Sequence, residues 1–160
     1  MKNRITEESV KSLQQEGLKF SVDTLAEKLK ISKKTIYKYF PDKEALAVAV
    51  YEKFYTDLKE KFENIINSAE SGVSEELLML YFDSAKMVRK EIFNKYSLND
   101  VIENAARRCH SEIWDMAEPY VCADMKADEA ETFRMITDGA FDRAIACGAE
   151  PQRIIRMLIK

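Results

Sequence analysis

The sequence predicts an all-α protein, and its periodicity and composition both support that class. Apolar side chains recur at helical spacing in every segment, and no sustained alternation of apolar and polar residues marks a strand. The composition, with 46% hydrophobic and 33% charged residues but only 4 glycines and 3 prolines, is globular and favours helices. A chain of 160 residues is long enough to bury a core and to divide into two unequal parts.

The first four helices are delimited by capping and breaking residues. The buried face of the first helix is predicted to comprise Ile5, Ser9, Val10 and Leu13. Ser21 is placed to cap a second helix and Ser32 a third, because their hydroxyls can accept from backbone donors at a helix start. Pro41 disfavours helical geometry at Phe40, so the third helix ends there and Asp42 caps a long fourth helix.

Further capping and breaking residues divide the rest of the chain. Ser74 is placed to open a fifth helix, and Ser97 with Asp100 resembles a capping pair before a sixth. Pro119 is expected to interrupt the sixth helix, because proline lacks the backbone donor that a helix interior needs. Another helix is predicted to start at Asp128. Its apolar face is predicted to comprise Phe133, Ile136, Ala140, Ala144 and Cys147.

Charge is distributed unevenly along the chain. Residues 1–55 carry eleven basic and eight acidic side chains, whereas the whole chain has a net charge of −3, so the remainder sums to −6. A basic N-terminal part on an acidic body indicates that only the N-terminal part meets a polyanion. Neither a long uncharged apolar stretch nor a signal peptide is visible, so we expect a cytoplasmic protein that does not interact with membranes.

The three cysteines and the single histidine form no metal-binding or catalytic pattern. Cys109, Cys122 and Cys147 are widely spaced, which predicts reduced and mostly buried thiols. Cys109 and His110 are adjacent, so on a helix they point about 100° apart and do not easily chelate one ion. Since no nucleophile–base pair or phosphate loop is visible either, we expect no metal, no cofactor and no enzymatic activity.

Residues 21–40 place two short helices around the turn Lys30-Ile31-Ser32, which is the spacing of a helix-turn-helix. Ile36 and Phe40 lie four residues apart and are expected to face the core. The outer surface of the second helix then comprises Lys33, Lys34, Tyr37 and Lys38. Two lysines in the first turn oppose the helix dipole, and an external anion would resolve that conflict. For such a run taken alone, a merely solvated lysine face is the alternative.

This second helix carries donors suited to both parts of a DNA duplex. The hydroxyls of Thr35, Tyr37 and Tyr39 can donate hydrogen bonds to phosphate oxygens. Lys33 and Lys34 lie at the start of the helix, where they can reach guanine O6 and N7 in a major groove. The pattern therefore predicts a DNA-recognition helix.

The run from Ser21 to Leu46 resembles the signature of the TetR/AcrR regulators. The resemblance rests on a capped helix over residues 21–26, the recognition helix Thr35-Ile36-Tyr37-Lys38-Tyr39-Phe40 and the following Pro41-Asp42-Lys43-Glu44, and it covers about the first 55 residues. It implies a base contact by Lys33 and phosphate contacts by Thr35, Tyr37, Tyr39 and Lys43. The complete predicted DNA-binding set is Ser21, Lys33, Lys34, Thr35, Tyr37, Lys38, Tyr39 and Lys43.

Two residues depart from the family pattern. Lys30 replaces the usual glycine of the turn, so we expect residue 30 to adopt a backbone geometry that is costly for a side chain. Asp23 lies where some relatives carry a base-contacting arginine, and an acid there would repel phosphate. Asp23 is therefore left out of the DNA-binding set.

The resemblance also implies a two-domain plan. A three-helix helix-turn-helix DNA-binding domain is expected over residues 1–45, followed by a helical-bundle ligand-binding and dimerisation domain over residues 46–160. Small residues between Phe133 and Cys147 suit a homodimer interface, although packing within one subunit would use them equally well. The large apolar residues of the body suit an effector cavity, for which we expect contacts from Met79, Phe82, Trp114 and Tyr120.

Together these features predict a DNA-binding transcriptional regulator. We expect a repressor that a small apolar or amphipathic effector releases from a palindromic operator in double-stranded DNA. The alternative is a helical ligand- or protein-binding module without DNA-binding activity. An enzyme is a third and much weaker candidate, because it would have to rely on the single histidine His110.

Overall fold

The computed structural model describes residues 1–16, 21–68, 72–86 and 100–159. All regular secondary structure in these ranges is helical, which confirms the predicted all-α class. The helices are α1 (Lys2–Glu16), α2 (Val22–Leu29), α3 (Lys33–Tyr39), α4 (Lys43–Asn67), α5 (Val73–Asp83), α6 (Asp100–Val121), α7 (Ala127–Cys147) and α8 (Pro151–Leu158). A 3₁₀ turn, Ser84–Lys86, follows α5. Within these ranges no helix is long and apolar enough to span a bilayer.

The short N-terminal helices begin where the capping residues predict. The Ser21 hydroxyl accepts a hydrogen bond from the backbone N–H three residues later at 3.1 Å, and Ser32 does the same at 3.1 Å. The Asp42 carboxylate accepts from the equivalent N–H at 2.7 Å. Each cap satisfies a backbone donor that has no partner inside its own helix. Helix α3 ends at Tyr39, and the extended Phe40 precedes Pro41, as predicted.

The predicted interruption at Pro119 is wrong. Helix α6 continues through Pro119 and ends at Val121. Proline is tolerated there because it lies in the last turn, where the helix gives up one backbone hydrogen bond and then stops.

Two other predicted helix starts are displaced. Helix α5 begins at Val73 after Gly72, whose φ of 93° is readily adopted only without a side chain, and the Ser74 hydroxyl instead donates to the Tyr120 carbonyl at 2.9 Å. Helix α7 begins one residue before Asp128, and the Lys126 N–H donates to the Glu129 carboxylate at 2.8 Å. Ser97, predicted to cap the sixth helix, lies outside the described residues.

The chain divides into two compact units. The first comprises residues 1–57 with 91–110, and the second comprises residues 58–90 with 111–160. Buried side chains of the first unit include Ile5, Leu13, Leu25, Ile36, Phe40, Val50 and Tyr55. Those of the second include Phe62, Leu77, Leu78, Tyr81, Phe82, Ile113, Trp114 and Phe141. The predicted boundary at residue 45 separates a DNA-binding domain from an effector-binding domain, and it stays a prediction about function.

The predicted apolar face of α7 is wrong in part. Ala144 is buried as expected, but Ile136 is 54% exposed and Cys147 is exposed as well. The buried residues of this helix are instead Thr137, Phe141 and Ala144, spaced at intervals of four and three. The helix therefore turns a different face inward, and Ile136 lies on the outside.

Candidate DNA-binding and effector sites

Helix α3 is held to its unit by two apolar anchors. Ile36 is 0% exposed and Phe40 is 2% exposed, as their four-residue spacing predicts. The four residues predicted to face outward, Lys33, Lys34, Tyr37 and Lys38, are exposed, and Tyr39 is exposed as well. This helix therefore offers a positively charged surface bearing two phenol hydroxyls.

The turn that leads into α3 depends on an unusual backbone conformation. Lys30 has φ 55° and ψ 43°, the left-handed helical region, which confirms the expectation for this position. Its N–H donates to the Glu27 carbonyl and the Ile31 N–H donates to the Ala26 carbonyl, each at 3.0 Å. These bonds end α2 and allow the chain to start α3 two residues later.

The lysines of this surface differ in their partners. Lys33 forms an ion pair with Asp23 on α2, and both side chains are more than half exposed. Lys34, Lys38 and Lys43 are also exposed, but they form no ion pair with any residue in the described ranges. Sequence reasoning excluded Asp23 from the site and did not detect that it contacts Lys33. The ten-residue separation follows no local helical rule that would have indicated this contact.

The smaller hydroxyl residues of the predicted site serve the caps. Ser21 and Thr35 are half-buried. The Ser21 hydroxyl lies 2.9 Å from the Thr24 hydroxyl, and the Thr35 hydroxyl lies 2.9 Å from that of Ser32. Ser21 and Thr35 thus lie at the starts of α2 and α3, where the backbone N–H groups of a helix favour an anion.

Lys43 is the first residue of α4 and is exposed. Its position beside the free backbone donors of a long helix is favourable for a phosphate group. All eight residues of the predicted DNA-binding set thus belong to α2, α3 and α4 or to their caps, within the first unit.

In the second unit, two of the predicted effector contacts share an aromatic cluster. We define the aromatic cluster as Tyr81, Phe82, Trp114, Phe133 and Phe141. The Tyr81 ring lies 5.4 Å from that of Phe82, 5.3 Å from that of Trp114 and 5.1 Å from that of Phe141, between centroids. Phe133 stacks on Trp114 with centroids 6.3 Å apart. These separations are those of favourable ring pairs.

The other two predicted effector contacts, Met79 and Tyr120, lie outside the aromatic cluster. Met79 is half-buried, and Tyr120 is 40% exposed. Neither takes part in the ring pairs that define the aromatic cluster. The structure thus brings Phe82 and Trp114 together but does not join Met79 or Tyr120 to them.

Polar groups border the aromatic cluster on one side. The Arg134 guanidinium carbon lies 4.8 Å from the centroid of the Trp114 ring, and the Arg134 Nε donates to Asp138 at 3.0 Å. The Tyr81 hydroxyl donates to the same carboxylate at 3.2 Å. Trp114 itself is 0% exposed, and its indole N–H has no hydrogen-bond partner among the described residues. A buried donor without an acceptor is energetically costly.

The cysteines are free, and two of the three are buried, as predicted. Cys109 and Cys122 are buried, whereas Cys147 at the end of α7 is exposed. Burial, with a contribution from the nearby Glu118 carboxylate, raises the pKa of the Cys122 thiol above its ordinary value. Cys122 is therefore held in its unreactive protonated form at neutral pH.

The arrangement of α1, α2 and α3, with an anchored and outwardly charged third helix, defines a helix-turn-helix protein. Residues 5–50 match the family described as bacterial regulatory proteins, tetR family. A relative from Bacillus subtilis (strain 168), an uncharacterized HTH-type transcriptional regulator named YvaF, is 26% identical over 121 residues. That match covers 76% of this chain and spans 60% of the relative's length.

Two solved structures share the fold. A TetR transcriptional regulator from Legionella pneumophila superposes with a TM-score of 0.70 at 20% identity, covering 99% of this chain and 95% of that one. The multidrug binding protein EbrR complexed with proflavin gives a TM-score of 0.60 at 16% identity, covering 98% and 96%. The family match covers residues 5–50, which hold the helix-turn-helix, and both superpositions show a similar fold over nearly the whole chain.

Proposed function

We propose that this protein is a DNA-binding transcriptional regulator that acts as a homodimeric repressor. The observation that carries the proposal is the exposure of Lys33, Lys34 and Tyr37 on α3 while Ile36 and Phe40 anchor that helix. A helix supported in this way can enter a major groove without losing its own packing. Residues 1–45 would form the DNA-binding domain, and residues 46–160 would bind the effector and dimerise.

The proposed DNA contacts fall into two groups. Lys33 and Lys34 at the start of α3 reach base edges, where lysine donates to guanine O6 and N7. Phosphate contacts come from the surrounding residues Ser21, Thr35, Tyr37, Lys38, Tyr39 and Lys43. A twofold dimer would place two α3 helices in successive major grooves, roughly 34 Å apart, on a palindromic operator.

An exposed apolar face on α7 supports the proposed dimer. Met135 is 71% exposed and Ile136 is 54% exposed, although large apolar side chains normally lose water contact on folding. Gly139 lies one turn further along the same face, and the space where its Cβ would lie is open to 4 Å. We propose that this face packs against its copy in a second subunit, where a missing side chain lets two helices approach closely.

The proposed effector is a small apolar or amphipathic molecule that binds at the aromatic cluster. The cluster supplies flat apolar surfaces, and the Trp114 N–H supplies a donor without an acceptor. The EbrR neighbour is described as a multidrug binding protein in complex with proflavin, which is a molecule of this kind. Effector binding would favour a dimer state in which the two α3 helices no longer match the operator, so DNA would be released.

Selection from a library of random duplexes, followed by gel shifts of the recovered sequences, tests the DNA-binding proposal. The wild-type protein should enrich an inverted repeat and retard it less as salt rises. Lys43→Ala should weaken binding to all sequences and lower the salt slope by about one, and Tyr37→Phe should weaken it about fivefold to tenfold.

Lys61→Ala is the matched control, because Lys61 is an exposed lysine on α4 outside the proposed contacts. It should bind DNA like the wild type. Failure of the wild-type protein to enrich any repeat or to retard any duplex would refute the proposal. Equal losses in Lys61→Ala and Lys43→Ala would refute the assignment of Lys43.

A further inference from the structure

The Arg134 guanidinium is a planar cation that lies against the aromatic cluster. Its guanidinium carbon lies 4.8 Å from the Trp114 ring centroid, within the range of a cation–π interaction. Its Nε donates to Asp138 at 3.0 Å, and the Arg134 side chain is 27% exposed. The guanidinium therefore lies over the fully buried Trp114 ring, and the Asp138 carboxylate holds it there.

The Arg134 guanidinium has both a ring and a carboxylate as partners, whereas the Trp114 N–H lacks an acceptor. The indole N–H points to no acceptor among the described residues, and guanidinium nitrogens offer none, since arginine carries only donors. A ligand that carried both a planar cation and an acceptor would match the ring, the carboxylate and the N–H together. Arg134 matches only the first two.

We infer that the aromatic cluster and Asp138 form a binding site for planar aromatic cations, and that Arg134 occupies the place of the ligand's cationic group until the ligand displaces it. The inference rests on the effector binding proposed above and specifies the chemical class of that effector. An amidinium or similar group would donate hydrogen bonds to Asp138, and its aryl ring would lie on Trp114 in place of the guanidinium.

Four residues have different roles in this site. Trp114 supplies the ring face and the donor. Asp138 selects positive charge, and Tyr81, whose hydroxyl donates to Asp138 at 3.2 Å, orients that carboxylate. Arg134 is a competitor, because it must leave both Trp114 and Asp138 before a ligand can bind them. Removing a competitor strengthens binding, whereas removing a structural residue weakens it.

Isothermal titration calorimetry on the full chain tests this site with two isosteric probes. The first is 6-methoxynaphthalene-2-carboxamidine, a planar cation with an ether acceptor, and the second is the corresponding neutral carboxamide. The wild-type protein should bind the amidine at least tenfold more tightly than the amide. Arg134→Gln should tighten amidine binding about threefold to tenfold, and Asp138→Asn should abolish the preference for the amidine.

Arg143→Gln is the matched control, because Arg143 is an exposed arginine on the same helix and takes no part in the contacts around Trp114. It should bind both probes like the wild type. Circular dichroism should show that each variant keeps its helices. Equal affinity of the wild type for the two probes, no binding of either probe, or weaker amidine binding by a folded Arg134→Gln protein would each overturn the inference.

Gel shifts on the same preparations separate this inference from the proposed function. A protein that retards DNA but does not bind the amidine would refute only the inference. A protein that binds the amidine with the expected preference but retards no duplex would refute the proposed regulator and leave the cation site standing.

Discussion

The two units of this protein present positive charge in different ways. In the first, Lys34, Lys38 and Lys43 are exposed and form no ion pair with the described residues. In the second, Arg134 lies over the Trp114 ring and is paired with Asp138. An exposed cation gains from any phosphate, because binding releases counterions from DNA. A cation already held by a ring and a carboxylate yields only to a competitor of similar charge and shape.

The partners of a charged side chain therefore decide what it can recognise. The lysines on α3 and α4 suit a long polyanion that meets several of them at once. The arginine on α7 suits a small ligand that replaces it.

Trp114→Ala should cause the largest loss, because it removes the largest fully buried ring from the aromatic cluster. Trp114 is 0% exposed, and truncation of a buried tryptophan costs about 3–5 kcal/mol of unfolding free energy. Urea unfolding followed by circular dichroism measures the change, since the only tryptophan is removed. Trp114→Phe should lose clearly less. A loss below about 1 kcal/mol for the alanine variant would mean that the ring is not part of the core.

Lys30→Gly should stabilise the first unit by about 1 kcal/mol, because Lys30 has a φ of 55° that costs an L-residue roughly this amount. The matched control is Lys38→Gly within α3, which should destabilise the protein by about 1 kcal/mol. Urea midpoints of the two variants should therefore move in opposite directions. A shift of both midpoints to lower urea would contradict the strain assigned to Lys30.

Asp23→Asn should strengthen binding to non-operator DNA about twofold to fivefold at low salt, because it releases Lys33 from its ion pair and removes a negative charge. The salt slope should become steeper by up to about one. Asp124→Asn removes another exposed carboxylate, this one from the second unit, and should leave DNA binding unchanged. Fluorescence anisotropy with a labelled duplex of arbitrary sequence measures both. Equal behaviour of the two variants would show that the Lys33–Asp23 pair has no effect on binding.

The thiols should react in an order set by their burial. Cys147 is exposed and should be labelled first by a disulfide reagent at pH 8, whereas Cys109 and Cys122 are buried and should react slowly. Because burial raises the pKa of Cys122, its thiolate fraction is small at this pH and grows only as the pH rises towards that pKa. Mass spectrometry of labelled peptides at pH 8 and pH 9.5 measures the order. Labelling of Cys122 before Cys147 would contradict the described burial.

Most features of the candidate DNA-binding surface were predictable from the sequence. The caps at Ser21, Ser32 and Asp42 depend on backbone donors three residues away, and the burial of Ile36 and Phe40 depends on one helical turn. The residues that make these contacts are only three or four positions apart, so a local sequence pattern contains nearly all the information that specifies them.

The candidate effector site was less predictable. Hydrophobicity alone placed Ile136 inside, although the structure leaves it on the surface and buries Thr137 instead. The sequence also selected Met79, Phe82, Trp114 and Tyr120 as effector contacts, the two aromatic residues Trp114 and Tyr120 partly for their polar groups. Ring contacts in the structure connect Phe82 and Trp114 through Tyr81. Which large side chains meet depends on how several helices pack, and a composition pattern does not contain that information.

The helical class, the turn at Lys30 and the outward direction of the α3 lysines follow from interactions within a few residues, so they can be deduced without coordinates. The pairing of Asp23 with Lys33, the hydrogen bond from Tyr81 to Asp138 and the position of Arg134 over Trp114 become visible only in the folded chain. These partners are ten or more residues apart and belong to different helices, so their meeting is set by the packing of one helix on another.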